Sequence, residues 1–158
     1  MVAGHIEPAK PTDRTAVVAL FAEDLTGLRL EFDLETLGRV FDNMLADPRA
    51  VVLVCRAEAK GVAAGVLVAS RMLSVKHGGR SLWIEELYVG SAARQRGFGR
   101  ALVEGLLELA EESGIKGIDL EAYHGNDAAA LLYRSVGFRR LGRERFTYHP
   151  EWEAETAD

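Results

Sequence analysis

The spacing of apolar residues in the first third of the chain predicts one short strand followed by two helices. Residues 5–9 form a brief apolar run that predicts a first strand. Apolar positions then recur at helical spacing from a cap at Thr12 or Asp13 to Leu25. A second helical pattern covers residues 33–45. The Asp-Pro pair that follows it predicts the end of that helix.

From residue 50 onward the pattern changes to β-branched runs and then alternates between strand and helix. The predicted strands cover 50–56, 62–75 and 81–89, with a hairpin turn at 77–79. A helix over 97–113, a strand over 117–122, a short helix over 126–136 and final strands within 138–148 follow. The order β-α-α-β-β-β-α-β-α-β-β predicts an α/β fold, a mixed sheet covered by helices on both faces.

Composition and charge narrow the class of protein. The chain has 158 residues, which suits one domain over 1–149 with an acidic tail at 150–158. The net charge is −5 and the basic residues are scattered, so we expect no nucleic-acid partner. A single cysteine, Cys55, rules out an internal disulfide. With no leader pattern and no apolar run of about 18 residues, we expect a cytoplasmic protein without a membrane partner.

The sharpest local motif is a glycine-rich turn between a predicted strand and a helix. Free amides at a helix start, the helix dipole and nearby arginines together suit a pyrophosphate. A P-loop is excluded because Gly99 is followed by Arg100 and Ala101. A dinucleotide-binding motif would have a small residue at position 102, where this chain has Leu102, but Glu121 stands where that motif has its acidic residue, so this alternative stays open. A helix start that binds no ligand also stays open. The motif reads Arg94, Gln95, Arg96, Gly97, Phe98, Gly99, Arg100.

Two blocks of residues resemble the GNAT superfamily of N-acetyltransferases. The first is the Arg-x-x-Gly-x-Gly pattern at 94–99, preceded by the strand sequence Glu-Glu-Leu-Tyr-Val at 85–89. The second is Asn126, followed by Leu-Tyr at 132–133 and Gly-Phe at 137–138. The resemblance extends over about residues 5–148 and implies the GNAT-type acyl-CoA N-acyltransferase fold.

The resemblance also implies a cofactor and the residues that hold it. The donor would be acetyl-CoA, with its pyrophosphate on the amides of 95–100 and its pantetheine arm along a strand edge. In this family that strand carries a bulge and separates from the next strand. The cofactor-binding residues implied are Leu87, Tyr88, Val89, Arg94, Gln95, Arg96, Gly97, Phe98, Gly99, Arg100, Asn126 and Tyr133.

Transfer to an amine requires a base, because an alkyl ammonium has a pKa of about 10.4 and cannot attack a thioester. Glu85 and Glu86 are the candidates, and we expect them on opposite faces of a strand with at least one partly buried. The resemblance favours Glu85 and leaves Glu86 as the alternative. It also makes Tyr133 the acid for the leaving thiolate, and the amide of Leu87 or Tyr88 the oxyanion donor.

The sequence therefore predicts acetyl transfer to a primary amine of a small molecule, such as a polyamine, an aminoglycoside or an amino-acid-like amine, by direct attack in a ternary complex. A protein or peptide acceptor and a non-catalytic acyl-CoA sensor are the alternatives. Analogy with relatives suggests a homodimer. The four histidines and one cysteine have no metal-ligand spacing, so we expect no metal. Acidic residues suit a cationic acceptor or are a solvated surface: Asp24, Glu31, Asp33 and Glu35.

Overall fold

A computed structural model describes residues 4–155 of the chain. The strands are β1 (His5–Pro8), β2 (Ala50–Arg56), β3 (Ala63–Ser74), β4 (Gly79–Val89) and β5 (Gly117–Leu120). The helices are α1 (Arg14–Gly27), α2 (Leu34–Ala46), α3 (Phe98–Glu112) and α4 (Asp127–Ser135), with single 3-10 turns at Pro11–Asp13 and Ser91–Ala93. No helix in this described part is long and apolar enough to cross a membrane.

The five strands form one sheet in the order β1-β2-β3-β4-β5. β1 to β4 pair antiparallel, whereas β4 and β5 pair parallel and are joined through α3. A parallel pair needs such a crossover connection, which is why a long helix lies between these two strands. The predicted mixed α/β sheet is therefore confirmed.

The sheet separates two apolar cores, one on each face. α1 and α2 cover one face with Val17, Phe21 and Phe41 against β2 and β3. α3 covers the other with Leu102 and Leu106 against the central strands. Successive residues of a strand point alternately to the two cores. The face to which a β4 side chain points therefore decides whether it packs against α1 and α2 or against α3.

One group of predicted elements is wrong: the strands expected within 138–148. The described chain has no strand after α4, and residues 139–155 are all exposed. A strand is stabilised by pairing with a neighbouring strand and by burying one face, and this segment does neither in the described structure, since Phe146 is 87% and Tyr148 79% exposed. The segment is held instead by Arg145, which forms a 2.7 Å ion pair with Glu121 and lies over the ring of Trp83.

Asp13 stands at the predicted start of α1, but its side chain does not cap the helix. Its carboxylate oxygens accept hydrogen bonds of 2.7 and 2.9 Å from the guanidinium of Arg56 at the end of β2. The same guanidinium donates at 2.7 Å to Glu7 on β1. Burial raises the pKa of Asp13, but the hydrogen bonds of Arg56 and of the Lys10 amide outweigh it, so the net pKa is lowered. This buried ion network joins β1, β2 and the start of α1.

Candidate active site

β4 contains a β-bulge at the two adjacent glutamates. Val68 of β3 pairs with Glu86 and Ala69 pairs with Ile84, so Glu85 is an extra residue without a partner. The bulge shifts the phase of the strand. Before it, Ile84 points to the α3 core, and after it Leu87 does so, while Tyr88 packs on the α1–α2 core. An even alternation from Ile84 would have put Glu86 on the α3 face, and the bulge turns it toward α1.

β4 also separates from β5 at this point. Their pairing runs from Ser81 with Gly117 to Ile84 with Leu120, where β5 ends. Beyond Ile84 one edge of β4 has no strand partner in the described chain, while the other edge stays paired with β3 as far as Val89. The main-chain groups on that open edge are therefore free to bind an extended ligand.

The glycine-rich turn exposes a row of backbone N–H groups. Gln95 and Gly97 have positive φ angles of 62° and 78°, and Gly97 is the left-handed N-cap of α3. The first backbone bond of the helix runs from the Ala101 amide to the Gly97 carbonyl at 3.0 Å. Within residues 4–155, none of the amides from 95 to 100 donates to a protein atom. Free amides at a helix N-terminus form an anion site, so this turn fits the pyrophosphate of a coenzyme A moiety.

The arginines around this turn are oriented by protein contacts. Arg100 donates at 2.8 Å to Glu104 and at 3.0 Å to the hydroxyl of Ser135, which links α3 to α4. The Arg96 guanidinium carbon lies 4.7 Å from the ring centre of Phe98. Arg94 donates from Nη2 at 2.9 Å to the Tyr88 hydroxyl and from Nε at 3.3 Å to the Val89 carbonyl. Positive charge thus surrounds the free amides and extends to the end of β4.

The structure distinguishes the two glutamates clearly. Glu85 is exposed at the bulge, whereas Glu86 is half-buried. Burial first, and then the carboxyl of Asp24 on α1 and the charge of Glu85, raise the pKa of Glu86 to about 9. Such a carboxyl is protonated at neutral pH until a cation or a proton acceptor changes its surroundings. Perturbed carboxyls of this kind mark functional sites more often than chance.

Tyr133 on α4 lies close enough to Glu86 to feel its charge. Burial first, and the Glu86 charge second, raise the pKa of the Tyr133 hydroxyl, so it stays protonated and able to donate. Its ring centre is 5.9 Å from that of Phe138, which fixes the side chain against the α3 core. Tyr133 thus packs on the α3 side of the sheet, and Glu86 is the charged group that contributes to the raised pKa of its hydroxyl.

Asn126 has a structural role whatever else it does. It is the N-cap of α4, and its side-chain oxygen accepts a 3.2 Å hydrogen bond from the Ala129 amide. An asparagine at this position stabilises the first turn of a helix. The side chain is exposed, so its predicted contact with a cofactor stays a prediction.

Sequence reasoning assigned no role to Glu23 and did not link Asp24 to Glu86. Glu23 accepts from the Tyr88 hydroxyl at 2.9 Å and from the Ser91 amide at 2.7 Å. The signal that could have found these contacts is the phase shift from Ile84 to Leu87, which turns Glu86 and Tyr88 to the α1 side.

Cysteine and metal-ligating side chains are the other residue types that could supply chemistry at this site. Cys55 is fully buried, and burial raises the pKa of its thiol, as expected of a core residue. Among residues 4–155 no cluster of three His, Cys, Asp or Glu side chains could hold a metal.

Comparison with known proteins agrees with this geometry. The family model for the Acetyltransferase (GNAT) family matches residues 15–138. The N-alpha-acetyltransferase RimI of Mycobacterium tuberculosis is 43% identical over 65 residues, which is 41% of this chain and 39% of the relative. The chain covers 18% to 58% of the length of the curated relatives compared with it.

Solved structures share the fold over most of both chains. A crystal structure of a probable acetyltransferase has a TM-score of 0.83 and 18% identity, covering 94% of this chain and 99% of its own. A predicted acetyltransferase from Clostridium acetobutylicum, solved with acetyl-CoA, has a TM-score of 0.72 and 19% identity, covering 91% and 95%. At these identities the likeness establishes the common fold.

Proposed function

Because the chain belongs to the Acetyltransferase (GNAT) family, we propose that it transfers an acetyl group from acetyl-CoA to a primary amine of a small molecule. The observation that carries the proposal is the open edge of β4, which begins at the free amides of the glycine-rich turn and ends beside Glu86 and Tyr133. The proposal thus combines an anion site at the start of α3, a binding edge on β4, and titratable groups on β4 and α4.

The free amides of the turn and its arginines would hold the pyrophosphate, and the open edge of β4 would bind the pantetheine arm through main-chain hydrogen bonds. Acetyl-CoA supplies the activated thioester. An amide of β4 near Leu87 or Tyr88 would donate to the carbonyl oxygen as negative charge develops there. Apart from the arginines of the turn, these binding roles use main-chain groups alone.

Glu86 is the better-supported base and Tyr133 the acid. Glu86 faces α1 and the acceptor side, and its high pKa gives it a strong affinity for the proton that the acceptor ammonium must lose. At neutral pH Glu86 itself must first be deprotonated, and an incoming cation favours that step by attracting the carboxylate. The protonated Tyr133 hydroxyl can then donate to the departing thiolate.

The acceptor that suits this arrangement enters as an ammonium ion. Asp24 and Glu86 present adjacent carboxyls, Glu85 adds a third nearby, and none of the groups that shift the pKa of Glu86 carries a positive charge. A cation between Asp24 and Glu86 would relieve their mutual repulsion. A polyamine or an amino-acid-like amine has the charge and the small size that this gap can take.

The test is a thiol-release assay with purified protein, acetyl-CoA and a panel of polyamines, aminoglycosides and amino acids, preceded by calorimetric titration with acetyl-CoA. The proposal requires both cofactor binding and release with a small amine. Cofactor binding without release from any amine would favour the acyl-CoA sensor, whereas no binding of acetyl-CoA would overturn the proposal.

A peptide N-terminus is the second candidate acceptor. It is favoured by the local 43% identity to a protein whose name is N-alpha-acetyltransferase. A peptide amine also enters as a cation, with a pKa of about 8. Short peptides with free and with blocked N-termini belong in the same assay, and release only with the free ones would move the assignment to this acceptor.

A further inference from the structure

Glu23 is the point where α1 is tied to the end of β4. Its Oε1 atom accepts both the Tyr88 hydroxyl at 2.9 Å and the Ser91 amide at 2.7 Å. These two hydrogen bonds lower the pKa of Glu23, the backbone bond of Ser91 more than the hydroxyl bond of Tyr88. One carboxylate therefore connects the third turn of α1 with β4 and with the turn that follows it.

Tyr88 extends this connection to the glycine-rich turn. Its hydroxyl donates to Glu23 and accepts from Nη2 of Arg94 at 2.9 Å, so both of its hydrogen-bonding functions are in use. Arg94 also donates from Nε to the Val89 carbonyl. Within residues 4–155 its Nη1 atom donates to no protein group, and it is therefore available to an anion bound at the free amides.

The same two elements meet again at the next residue of α1. Asp24 follows Glu23 on the helix, and Glu86 lies on the same face of β4 as Tyr88 because their partners on β3 are Val68 and Val66. The Asp24 carboxyl lies near enough to Glu86 to raise the pKa of Glu86. Two neighbouring residues of α1 thus face two same-face residues of β4, so the contact of Glu23 with Tyr88 also sets how close Asp24 comes to Glu86.

We propose that Glu23 is a positioning residue which, through Tyr88, couples Arg94 of the anion-binding turn to the placement of Asp24 against Glu86. The importance of this coupling for catalysis rests on the proposed function. The coupling itself is independent of that function, because it is argued from the contacts of Glu23, Tyr88 and Arg94. Neither Glu23 nor the Tyr88 hydroxyl needs to touch the reacting atoms. The network connects Arg94 to α1 because the Tyr88 hydroxyl bonds to both Arg94 and Glu23, and Asp24 is the next residue of that helix.

Three variants separate the hydrogen bonds from the charge. Glu23→Gln removes the negative charge but keeps an oxygen that can accept both hydrogen bonds. Glu23→Ala removes the charge and the two hydrogen bonds. Tyr88→Phe removes the hydroxyl that links Glu23 to Arg94 and changes no charge. Glu108→Gln removes an exposed carboxylate on the far side of α3 and is the matched control. Glu86 and the titratable groups around it, Asp24, Glu85 and Tyr133, stay unchanged in all of these variants.

The first measurement is an NMR titration of the Glu86 side-chain carboxyl, assigned with Glu86→Gln, with and without coenzyme A. In Glu23→Ala and Tyr88→Phe we expect its midpoint to fall by about one pH unit or more, because Asp24 is no longer held against it. Glu23→Gln should stay near the wild type, as should Glu108→Gln. In the wild type, coenzyme A should move the midpoint, and in Tyr88→Phe that response should be lost.

The second measurement is the Kd of coenzyme A by calorimetry. We expect it to rise roughly threefold to tenfold in Glu23→Ala and Tyr88→Phe, since Arg94 loses its support. An unchanged midpoint and an unchanged Kd in Tyr88→Phe would overturn the proposal. If the Glu86 midpoint shifts in the variants but does not respond to coenzyme A in the wild type, the proposed coupling between Glu86 and the glycine-rich turn is overturned. Neither readout uses turnover, so absence of acetyl transfer would count against the proposed function alone.

Discussion

At the scale of single residues, the two adjacent glutamates of β4 have different surroundings and should have different effects when changed. Glu86→Gln should lower kcat by about a hundredfold to ten-thousandfold, the range of a lost general base. Glu85→Gln should change kcat by no more than a few fold, because its side chain is exposed at the bulge. Thiol release at saturating acetyl-CoA measures both.

Calorimetric titration with acetyl-CoA is the control for these variants, since neither change should alter cofactor affinity. The opposite ranking, with Glu85→Gln inactive and Glu86→Gln active, would restore the assignment that the family resemblance favours. That outcome would also mean that solvent exposure is a poor guide to the base at this site.

Asp24 offers a test of how Glu86 acquires its high pKa. Asp24→Asn removes a charge and a carboxyl–carboxyl contact that both raise the pKa of Glu86. The acidic limb of the pH profile of kcat/KM should therefore move to lower pH, because Glu86 becomes a free base at lower pH than in the wild type. An Asp33→Asn variant, which affects the N-cap of α2, should leave that limb in place. A limb at the same pH in Asp24→Asn would contradict this account of Glu86.

At the scale of elements, the start of α3 combines backbone conformation with anion binding. Gly97→Ala places a Cβ on a residue at φ 78°, which costs about 1–2 kcal/mol and disturbs the direction of the free amides. We expect the Kd for coenzyme A to rise about tenfold or more, because amides that no longer converge bind an anion poorly.

Gly114→Ala is the matched control for this prediction. Gly114 follows the same helix with φ 68°, and an added Cβ there meets no atom within 4 Å. Both variants should lose a similar amount of thermal stability, while only Gly97→Ala should lose affinity. Equal affinities in the two variants would show that the geometry of the turn does not matter for binding.

The elements themselves could be predicted from the sequence to within a few residues, since hydrophobic period and capping residues are local signals. The helix predicted over 33–45 is found at Leu34–Ala46, and Asp33 is its N-cap, accepting from the Thr36 amide at 2.8 Å. The resemblance implied the bulge, but the face to which it turns Glu86 could not be predicted, because the pairing register depends on β3. The final strands were predicted from apolar alternation alone, and that pattern does not show whether the segment pairs with the sheet.

At the scale of the whole molecule, the Arg56 network should control stability. Asp13→Asn leaves the buried Arg56 guanidinium without a full counter-charge, so we expect a loss of about 3–5 kcal/mol in the free energy of unfolding at pH 7. Asp42→Asn, which breaks an exposed pair with Arg14, should cost less than about 1 kcal/mol. Urea denaturation of both variants measures the difference.

The same network predicts how stability depends on acid. The pKa values of Asp13 and Glu7 are both lowered in the folded protein, in Asp13 by Arg56 and Lys10 against the effect of burial and in Glu7 by Arg56 first. Groups with lowered pKa values stabilise the fold above their usual pKa, and that contribution is lost as the pH falls through the lowered values. The difference between wild type and Asp13→Asn should therefore shrink in urea melts below about pH 4. A difference that stays constant down to about pH 2 would show that charge is not its cause.

The site was less predictable than the fold because its chemistry comes from contacts between distant segments. The glycine-rich turn and Tyr133 could be named from local motifs. The contact of Asp24 with Glu86 joins α1 to β4, and that of Glu23 with Tyr88 spans 65 positions of the chain. No local pattern encodes such a pair, since it depends on how α1 lies across the sheet.

The bulge at Glu85 has a consequence for comparing this chain with its relatives. A relative could keep both glutamates and the same number of residues here, yet lack the bulge and pair evenly with its β3. Its second glutamate would then project into the layer of α3, where Ile84 and Leu87 pack in this chain. An alignment without gaps would equate that glutamate with Glu86, although the two have unrelated surroundings. The pairing of β4 with β3 therefore has to be compared together with the identities of the residues.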